Sequence, residues 1–490
     1  MKSLLSFLLV LLTLPSVVAQ DNMLTLEQAM DIAMKNSPEI LKSELNMTIS
    51  RENLNASLAA TKSLFSFQLT PLYYNQNREF SSQLGTWITT ETKRISGDFT
   101  VSQPIVFTDG RITLKNQLSF QDQSSSFSDT KFKGYSNNLF LSYSQPLFTY
   151  NKLRMQIDQL KLALENATLS YAIQRLFLER SVNQYFYMVY QRKMAMGVAE
   201  DEYKNQQTSY DIIKSKVEGG LSAMEELYQA ELNLTTGKSN FQNAQVNLEN
   251  AKDDFRQYVG IPLNQEFDIV TNVEFKEVLI DLERAIQNGL DTRMELRQRE
   301  INIENSKDQL TVARATNEFA GNVDLSIGII GENEALAQVY DKPTRTPQVM
   351  IGFNIPVWDW GERRSRIKAA EAAVRIEEIN MEVQRTEVEL GIRQTYRNLQ
   401  NLSLQIEIAR QNEKNAQLTY EINLERYKNG DLTGMDLNLF QNQLSEKKMN
   451  LANSLINYKL ELLNMKIQSL WDFENNTSFV PMEIQDNLNQ

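Results

Sequence analysis

The chain has 490 residues, 50 Lys and Arg against 62 Asp and Glu, a net charge of −12, and neither histidine nor cysteine. The acidic balance argues against a nucleic-acid partner, whose phosphates need a basic surface. The missing His and Cys exclude zinc and haem ligation of the usual kinds, thiol chemistry, disulfides, a lipid-modified N-terminal cysteine and a Ser-His-Asp triad. No phosphate loop of the GxGxxG or GxxxxGK type occurs, so no cofactor is expected and the sequence points away from an enzyme.

In chain order, residues 1–19 come first. MKSLLSFLLVLLTLPSVVA has one lysine, an apolar run and a small-residue end, and reads as a secretory signal. A membrane anchor is the weaker alternative, because the run is shorter than the roughly 18–20 apolar residues a spanning helix needs. No later stretch is apolar for long enough either, so entry into a membrane requires a closed β-barrel.

Residues 20–262 form a first repeat. An amphipathic helix start, LEQAMDIAMKNSPEI (26–40), leads to strands between about 64 and 148. Within them, 98–121 reads as an extra hairpin, with Ile112, Leu114, Leu118 and Phe120 alternating and a tight turn at Thr108-Asp109-Gly110. This hairpin either widens a barrel or projects outside the cell. The strands end at SQPLFTYNKLR (144–154), and a long helical hairpin is expected over 151–258. Leu153, Ile157, Leu160, Leu164, Ala167 and Tyr171, then Leu178, Val182, Tyr185 and Val189, follow coiled-coil steps of three and four. Gly219-Gly220 supplies the reversal. A linker, 263–281, follows.

Residues 282–470 repeat the plan. LERAIQNGLDTRMEL (282–296) answers the first helix start at an offset of 256. Strands are expected at about 322–358, where Val323, Leu325, Ile327 and Ile329 alternate with polar residues and pair with 348–357. A second helical hairpin, 361–468, carries the same coiled-coil spacing in Val388, Ile392, Thr395, Leu399, Leu402, Ile406 and Ala409. From the strand exit onward the offset is a constant 210: Tyr210 answers Tyr420, Gly220 answers Gly430, and Asn247 answers Asn457. Packed helices in register do not tolerate length change as loops do, so the two hairpins are matched. A tail, 471–490, closes the chain.

The two strand exits are SQPLFTYN and NIPVWDWG. Proline ends a strand's ladder by lacking an N–H, and Phe148, Tyr150, Trp358 and Trp360 stand where a strand would leave a bilayer, the level aromatics favour. A soluble hairpin and a soluble helical bundle would carry the same alternation and heptads. The secretory signal, the missing apolar helix and the aromatic exits favour a barrel.

These features resemble the TolC family of outer-membrane efflux and secretion channels. The likeness covers nearly all of the mature chain and is carried by the tandem duplication, SQPLF, NIPVWDWG, YVGIP (258–262) and two hairpin ends, VEGGLSAMEELYQAELNL (217–234) and YKNGDLTGMDLNLFQNQL (427–444). The resemblance implies a mainly α protein with a transmembrane β-barrel, in which a homotrimer shares one barrel that continues into a tunnel of long helical hairpins. It implies residence in the outer membrane of a Gram-negative bacterium, in contact with its lipid, with a long periplasmic extension. It also implies docking to a periplasmic adaptor and an inner-membrane pump of the RND, ABC or MFS class, for passive export of drugs, small molecules or secreted proteins. By the same likeness Gly220, Leu221, Ser222 and Gly430 meet the adaptor, while Tyr427, Asp436 and Glu226 constrict the pore. Glu226 and Asp436 are equally acids of the kind that helix starts favour. The family's second-end arginine and second aspartate fall on Leu432 and Leu439, so this chain departs from the family's arginine lock and double acidic ring. An outer-membrane coiled-coil tether that does not conduct is the alternative function.

Overall fold

In a computed structural model the structure describes residues 23–127, 131–270, 275–429 and 431–481. The secretory signal and the candidate Gly430 lie outside these. Eight helices carry the duplication: α1 (Leu26–Asn36), α2 (Pro38–Ala60), α3 (Lys152–Glu218), α4 (Met224–Val259), α5 (Leu282–Thr292), α6 (Met294–Arg314), α7 (Glu362–Lys428) and α8 (Gly434–Ser469). Both α3 and α7 have 67 residues, and both α4 and α8 have 36. Every one of these bounds recurs at the offset of 210 read from the sequence. At 1.5 Å per residue, a 67-residue helix is about 100 Å long.

The chain divides into two compact units. One holds described residues up to 45, 168–296 and 384 onward; the other holds 46–167 and 297–383. The first is helical. Its core joins Ala29, Ala33 and Ile40 to Leu178, Val182, Phe186 and Val189 of α3 and to Leu248, Ala251, Phe255 and Val259 of α4. Phe255 is fully buried between the rings of Phe186 and Phe267. α4 ends where Gly260 turns left-handed, at φ 82°; a Cβ there would meet the Asn36 carbonyl oxygen at 2.8 Å. On α7, Val388, Ile392, Thr395, Leu399, Ile406 and Ala409 are buried as the spacing predicts, while Leu402 is half-buried. Earlier in α3 the stripe differs: Leu164, Ala167 and Tyr171 are half-buried, and burial passes to Leu169, Ala172 and Leu176. A straight helix of 3.6 residues per turn drifts from a strict seven-residue repeat, and α3 is long enough for that drift to matter.

The described parts of the expected linker and tail are both tied to this unit. Tyr458 of α8 packs on Phe275, and its hydroxyl accepts from the Val278 N–H at 3.1 Å. Trp471–Asp472 pairs with Thr477–Ser478. Asp472 is nearly buried there, accepting from Lys466 at 3.0 Å and from the Glu474 and Asn475 N–H groups at 2.8 and 3.1 Å.

The other unit is built around one antiparallel sheet of six strands: β1 (Leu64–Ser81), β2 (Thr86–Ile105), β3 (Gly110–Ser125), β4 (Lys131–Leu147), β5 (Ala320–Asn333) and β6 (Thr344–Asn354), paired in that order. β5 and β6 pair as the sequence predicts, with Val323 opposite Ile351. In the first repeat the outer strands, β1 and β4, do not pair with each other. The extra hairpin, β2 and β3, lies between them in the sheet. β6 stops at Asn354, so Ile355 and Val357 lie beyond the ladder; Pro356, with no N–H, cannot extend it.

Burial in this sheet is reversed from that of a water-soluble protein. On one face Phe65, Phe67 and Leu69 lie opposite Val101, Phe99 and Gly97, and the row continues through Leu114, Leu118, Leu139, Leu141, Ile327 and Ile329. This face is apolar and exposed: Phe67 is 67% accessible and Ile351 58%. Asn116 and Asn137 interrupt it. The opposite face carries Ser96, Ser119 and Ser136 in one row, and Ser102, Thr113, Ser142 and Ser326 in another. Ser96, Ser119 and Ser136 are buried, Ser119 being 7% accessible, and the second row is half-buried. No described helix is long and apolar enough to cross a membrane.

The Asp472 cluster predicts a pH-dependent stability. Burial would raise its carboxyl, but the Lys466 ammonium and the Asn475 donors hold it below the ordinary value of 3.8. A carboxylate lowered in the folded state stabilises above its unfolded value, and that contribution is lost as pH falls through the folded one. Asp472→Asn should therefore destabilise the protein at pH 7 by about 1–3 kcal/mol. The gap to wild type should close below pH 3.8 when unfolding is followed by circular dichroism.

Candidate functional site

Two regions carry the residues singled out in the sequence: the rim where the sheet hands over to helices, and the ends of the two long hairpins. At the first handover, Asn151 caps α3, its side-chain oxygen accepting from the Arg154 N–H at 2.8 Å. Its amide nitrogen donates to the Val106 and Phe107 carbonyls at 2.6 and 3.1 Å. Those carbonyls belong to the β2–β3 turn, whose Asp109 carboxylate in turn accepts from the Lys152 and Leu153 N–H groups at 3.3 and 3.2 Å. Asp109 sits at φ 61°, a left-handed conformation that Asp and Asn tolerate best after Gly. The turn of the extra hairpin is thus fastened to the start of α3.

The second handover performs the same job with other residues. Asp359 accepts from the Gly361 and Arg363 N–H groups at 2.9 and 3.0 Å, which caps α7 and holds this exposed carboxyl below its ordinary range. Trp360 and Gly361 make the turn at φ 56° and 85°. Of the four candidate aromatics, Trp358 and Trp360 are exposed and meet edge-to-face at 5.6 Å, Phe148 is exposed, and Tyr150 is half-buried. Phe148 packs on Phe319, 5.3 Å away, and Phe319 stacks on Phe353 at 5.7 Å. Phe319 bridges the two repeats at this rim. Sequence reading missed it because it precedes its strand, whereas the aromatic exits follow theirs.

Close by, Arg297 of α6 joins α3 through Glu165 at 2.7 and 3.1 Å. It also reaches Glu300 and Glu304, and the Glu165 hydrogen bonds come first in holding its guanidinium protonated.

At the first hairpin end, Gly220 takes φ 69° and the Leu221 N–H reaches back to the Lys216 carbonyl at 2.8 Å, closing α3. Leu221 is left 83% accessible. Ser222 donates to Glu226, which stands in the first turn of α4. At the second end, Thr433 caps α8. It accepts from the Asp436 N–H at 3.2 Å and donates to the Asp436 carboxylate at 2.7 Å. Glu226 and Asp436 therefore hold equivalent first-turn positions, each bonded to the hydroxyl just before its helix. Tyr427, on the last turn of α7, lies 5.9 Å from the Lys216 ammonium, so the two hairpin ends meet in one chain. Its hydroxyl is buried and has no partner among the described residues. Among the described residues, no group of acidic side chains could hold a metal ion.

An amphipathic membrane-type sheet capped directly onto paired 67-residue helices defines a class, the channel-tunnels of outer membranes. The model of the outer membrane efflux protein family matches residues 113–261 and 285–465, about two thirds of the chain, and the chain belongs to that family. It is an outer-membrane protein with an efflux channel's architecture. Its fold is similar to the CmeC outer membrane channel of Campylobacter jejuni (TM-score 0.70, 15% identity, 95% of this chain and 88% of that one). It is also similar to the outer membrane protein VceC of Vibrio cholerae (0.66, 14%, 93% and 96%) and to the open state of the MtrE outer membrane channel of Neisseria gonorrhoeae (0.66, 13%, 92% and 90%). At these identities the likeness is one of fold. No curated protein matches the chain in sequence.

The fastening at Asp109 predicts an asymmetry between two substitutions. Asp109→Asn keeps an acceptor and tolerates the positive φ, so it should cost only a few tenths of a kcal/mol. Asp109→Ala loses the acceptor and strains the turn, and should cost about 1–3 kcal/mol. Thermal unfolding of the two purified variants measures the difference.

Proposed function

We propose that this chain is one of three identical subunits of an outer-membrane channel-tunnel. Docked to a periplasmic adaptor and an inner-membrane RND, ABC or MFS pump, the trimer passively conducts drugs, small molecules or secreted proteins out of the periplasm. It carries no catalytic role. The observation that carries this reading is the reversed sheet: aromatic and aliphatic residues exposed on one face, serine and threonine on the other. Such a face suits lipid, and such a back suits a watery lumen. A single copy cannot close, since even the smallest barrels need about eight strands. The repeats are read as 20–262 and 282–470, each giving strands and one long hairpin.

Conductance decides between this reading and a non-conducting tether. Purified protein added to a planar bilayer should give discrete ohmic steps; insertion with no current would favour the tether.

The adaptor is placed at the hairpin ends, through Gly220, Leu221, Ser222 and Gly430. An exposed leucine beside a glycine turn offers an apolar knob for another helical hairpin. Leu221→Asp should abolish export in cells while leaving trimers in the membrane, because a charge enters an apolar contact. Normal drug resistance or secretion in that variant would move the docking site elsewhere.

Tyr427, Asp436 and Glu226 are assigned to the gate. Three copies of Asp436 around a threefold axis would repel one another and attract cations. Asp436→Asn should lower cation over anion preference in single-channel reversal potentials. Unchanged selectivity would leave Asp436 with its capping role alone.

A further inference from the structure

We infer that each subunit gives six strands to the membrane barrel, the extra hairpin included, so that three copies close a barrel of eighteen strands in which β1 of one copy pairs antiparallel with β6 of the next. The number of copies rests on the trimer proposed above; the six strands per copy do not.

The extra hairpin shares the sheet's chemistry. Ile95, Gly97, Phe99 and Val101 of β2 and Ile112, Leu114, Leu118 and Phe120 of β3 lie on the apolar face. Ser96, Asp98, Thr100 and Ser102 lie on the polar face, with Lys115, Gln117 and Ser119 opposite them. The hairpin's turn is bonded to the start of α3 through Asp109 and Asn151, so it lies at the helix-side rim. A hairpin projecting outside the cell would have its turn at the other end.

The register fits a membrane barrel as well. Straight across the sheet, Leu64 is followed by Ser102, Thr113, Ser142, Ser326 and Gln348. Leu64 begins β1 and Asn354 ends β6, both at the helix-side rim, yet the row meets β6 six residues before Asn354. A stagger of six residues over five strand steps corresponds to a tilt of about 40°, inside the range of membrane barrels.

Two edges remain unpaired, and lipid does not tolerate that. Residues 64–70 of β1, bounded by Pro71, and 348–354 of β6, bounded by Pro347, are both free of proline. They run in opposite directions, as an antiparallel closure needs, and a second copy of this chain supplies the partner for each.

Eighteen tilted strands at about 4.8 Å spacing enclose a ring about 36 Å across, against about 24 Å for twelve, the count if the first repeat gave only two strands as the second does. Side chains of about 5 Å on each wall leave a bore of about 25 Å. Its lining is mostly uncharged, and Lys115 and Asp98 face each other at 3.9 Å. The membrane segment therefore does not sieve small molecules and admits a polypeptide, which leaves selection to the hairpin ends.

The absence of native cysteine makes the test direct. Phe99→Cys and Leu118→Cys, on the apolar face, and Thr100→Cys and Gln117→Cys, on the polar face, are each reconstituted in liposomes. A charged maleimide in water should label the polar-face pair at least about tenfold faster, since thiolate formation needs water. A bimane on the apolar-face pair should be quenched by nitroxide-labelled lipid. Aqueous labelling of all four without quenching would put the hairpin outside the membrane and overturn the inference, while leaving the channel reading intact. Light scattering gives the copy number separately, and any number but three would overturn both the trimer and the count of eighteen. Should a variant misassemble, counting strands in an electron-microscopic reconstruction of the unaltered protein decides: eighteen supports the inference and twelve refutes it.

Discussion

Lipid offers no hydrogen-bond partner to a peptide group, and the structure of this chain follows from that constraint. Every strand of the six-stranded sheet but the outermost two is paired on both sides. Side chains then divide by face, hydrocarbon on one and hydroxyls on the other, as a two-residue period allows. Prolines sit where a missing N–H harms least: Pro71 at the irregularity in edge strand β1, Pro347 in edge strand β6, Pro104 and Pro146 one residue from strand ends. Where strands stop, the first N–H groups of the long helices need acceptors in turn, and Asn151, Asp109 and Asp359 supply them.

Duplication solves the other half of the problem. Helices of 67 and 36 residues, twice over, pack through buried stripes that an inserted residue would rotate out of contact. Their lengths have stayed equal. Strands joined by turns carry no such penalty, and there the copies diverge: among the described residues the first gives the sheet four strands and the second two. The difference between the repeats lies in the sheet.

The helices were legible in the sequence because heptad spacing extends over many turns; Val388, Ile392 and Ile406 are buried as their spacing requires. The β5–β6 pairing was legible from alternation. The position of the extra hairpin was not, since a membrane strand and an exposed one alternate alike. Contacts between residues more than forty positions apart, Asn151 with Val106 and Leu153 with Asp109, fasten its turn to the start of α3, and no local pattern announces them. The strand end was misjudged by a few residues because Ile355 and Val357 continue the alternation past a proline that stops the ladder. At the hairpin ends, glycine marked the first reversal. The structure adds that Glu226 and Asp436 are each tied to a neighbouring hydroxyl, a local role that exists whether or not they line a pore.

In the assembly proposed above, the exposed apolar face and the two open edges build a barrel between copies. A reconstruction of the protein in lipid nanodiscs, sectioned through the membrane, would show it. A closed ring is expected, in which residues 64–70 of one copy hydrogen-bond to residues 348–354 of its neighbour, with the serine rows facing a water-filled lumen. A single copy with its sheet edges open, or a ring with the serine rows facing lipid, would contradict it.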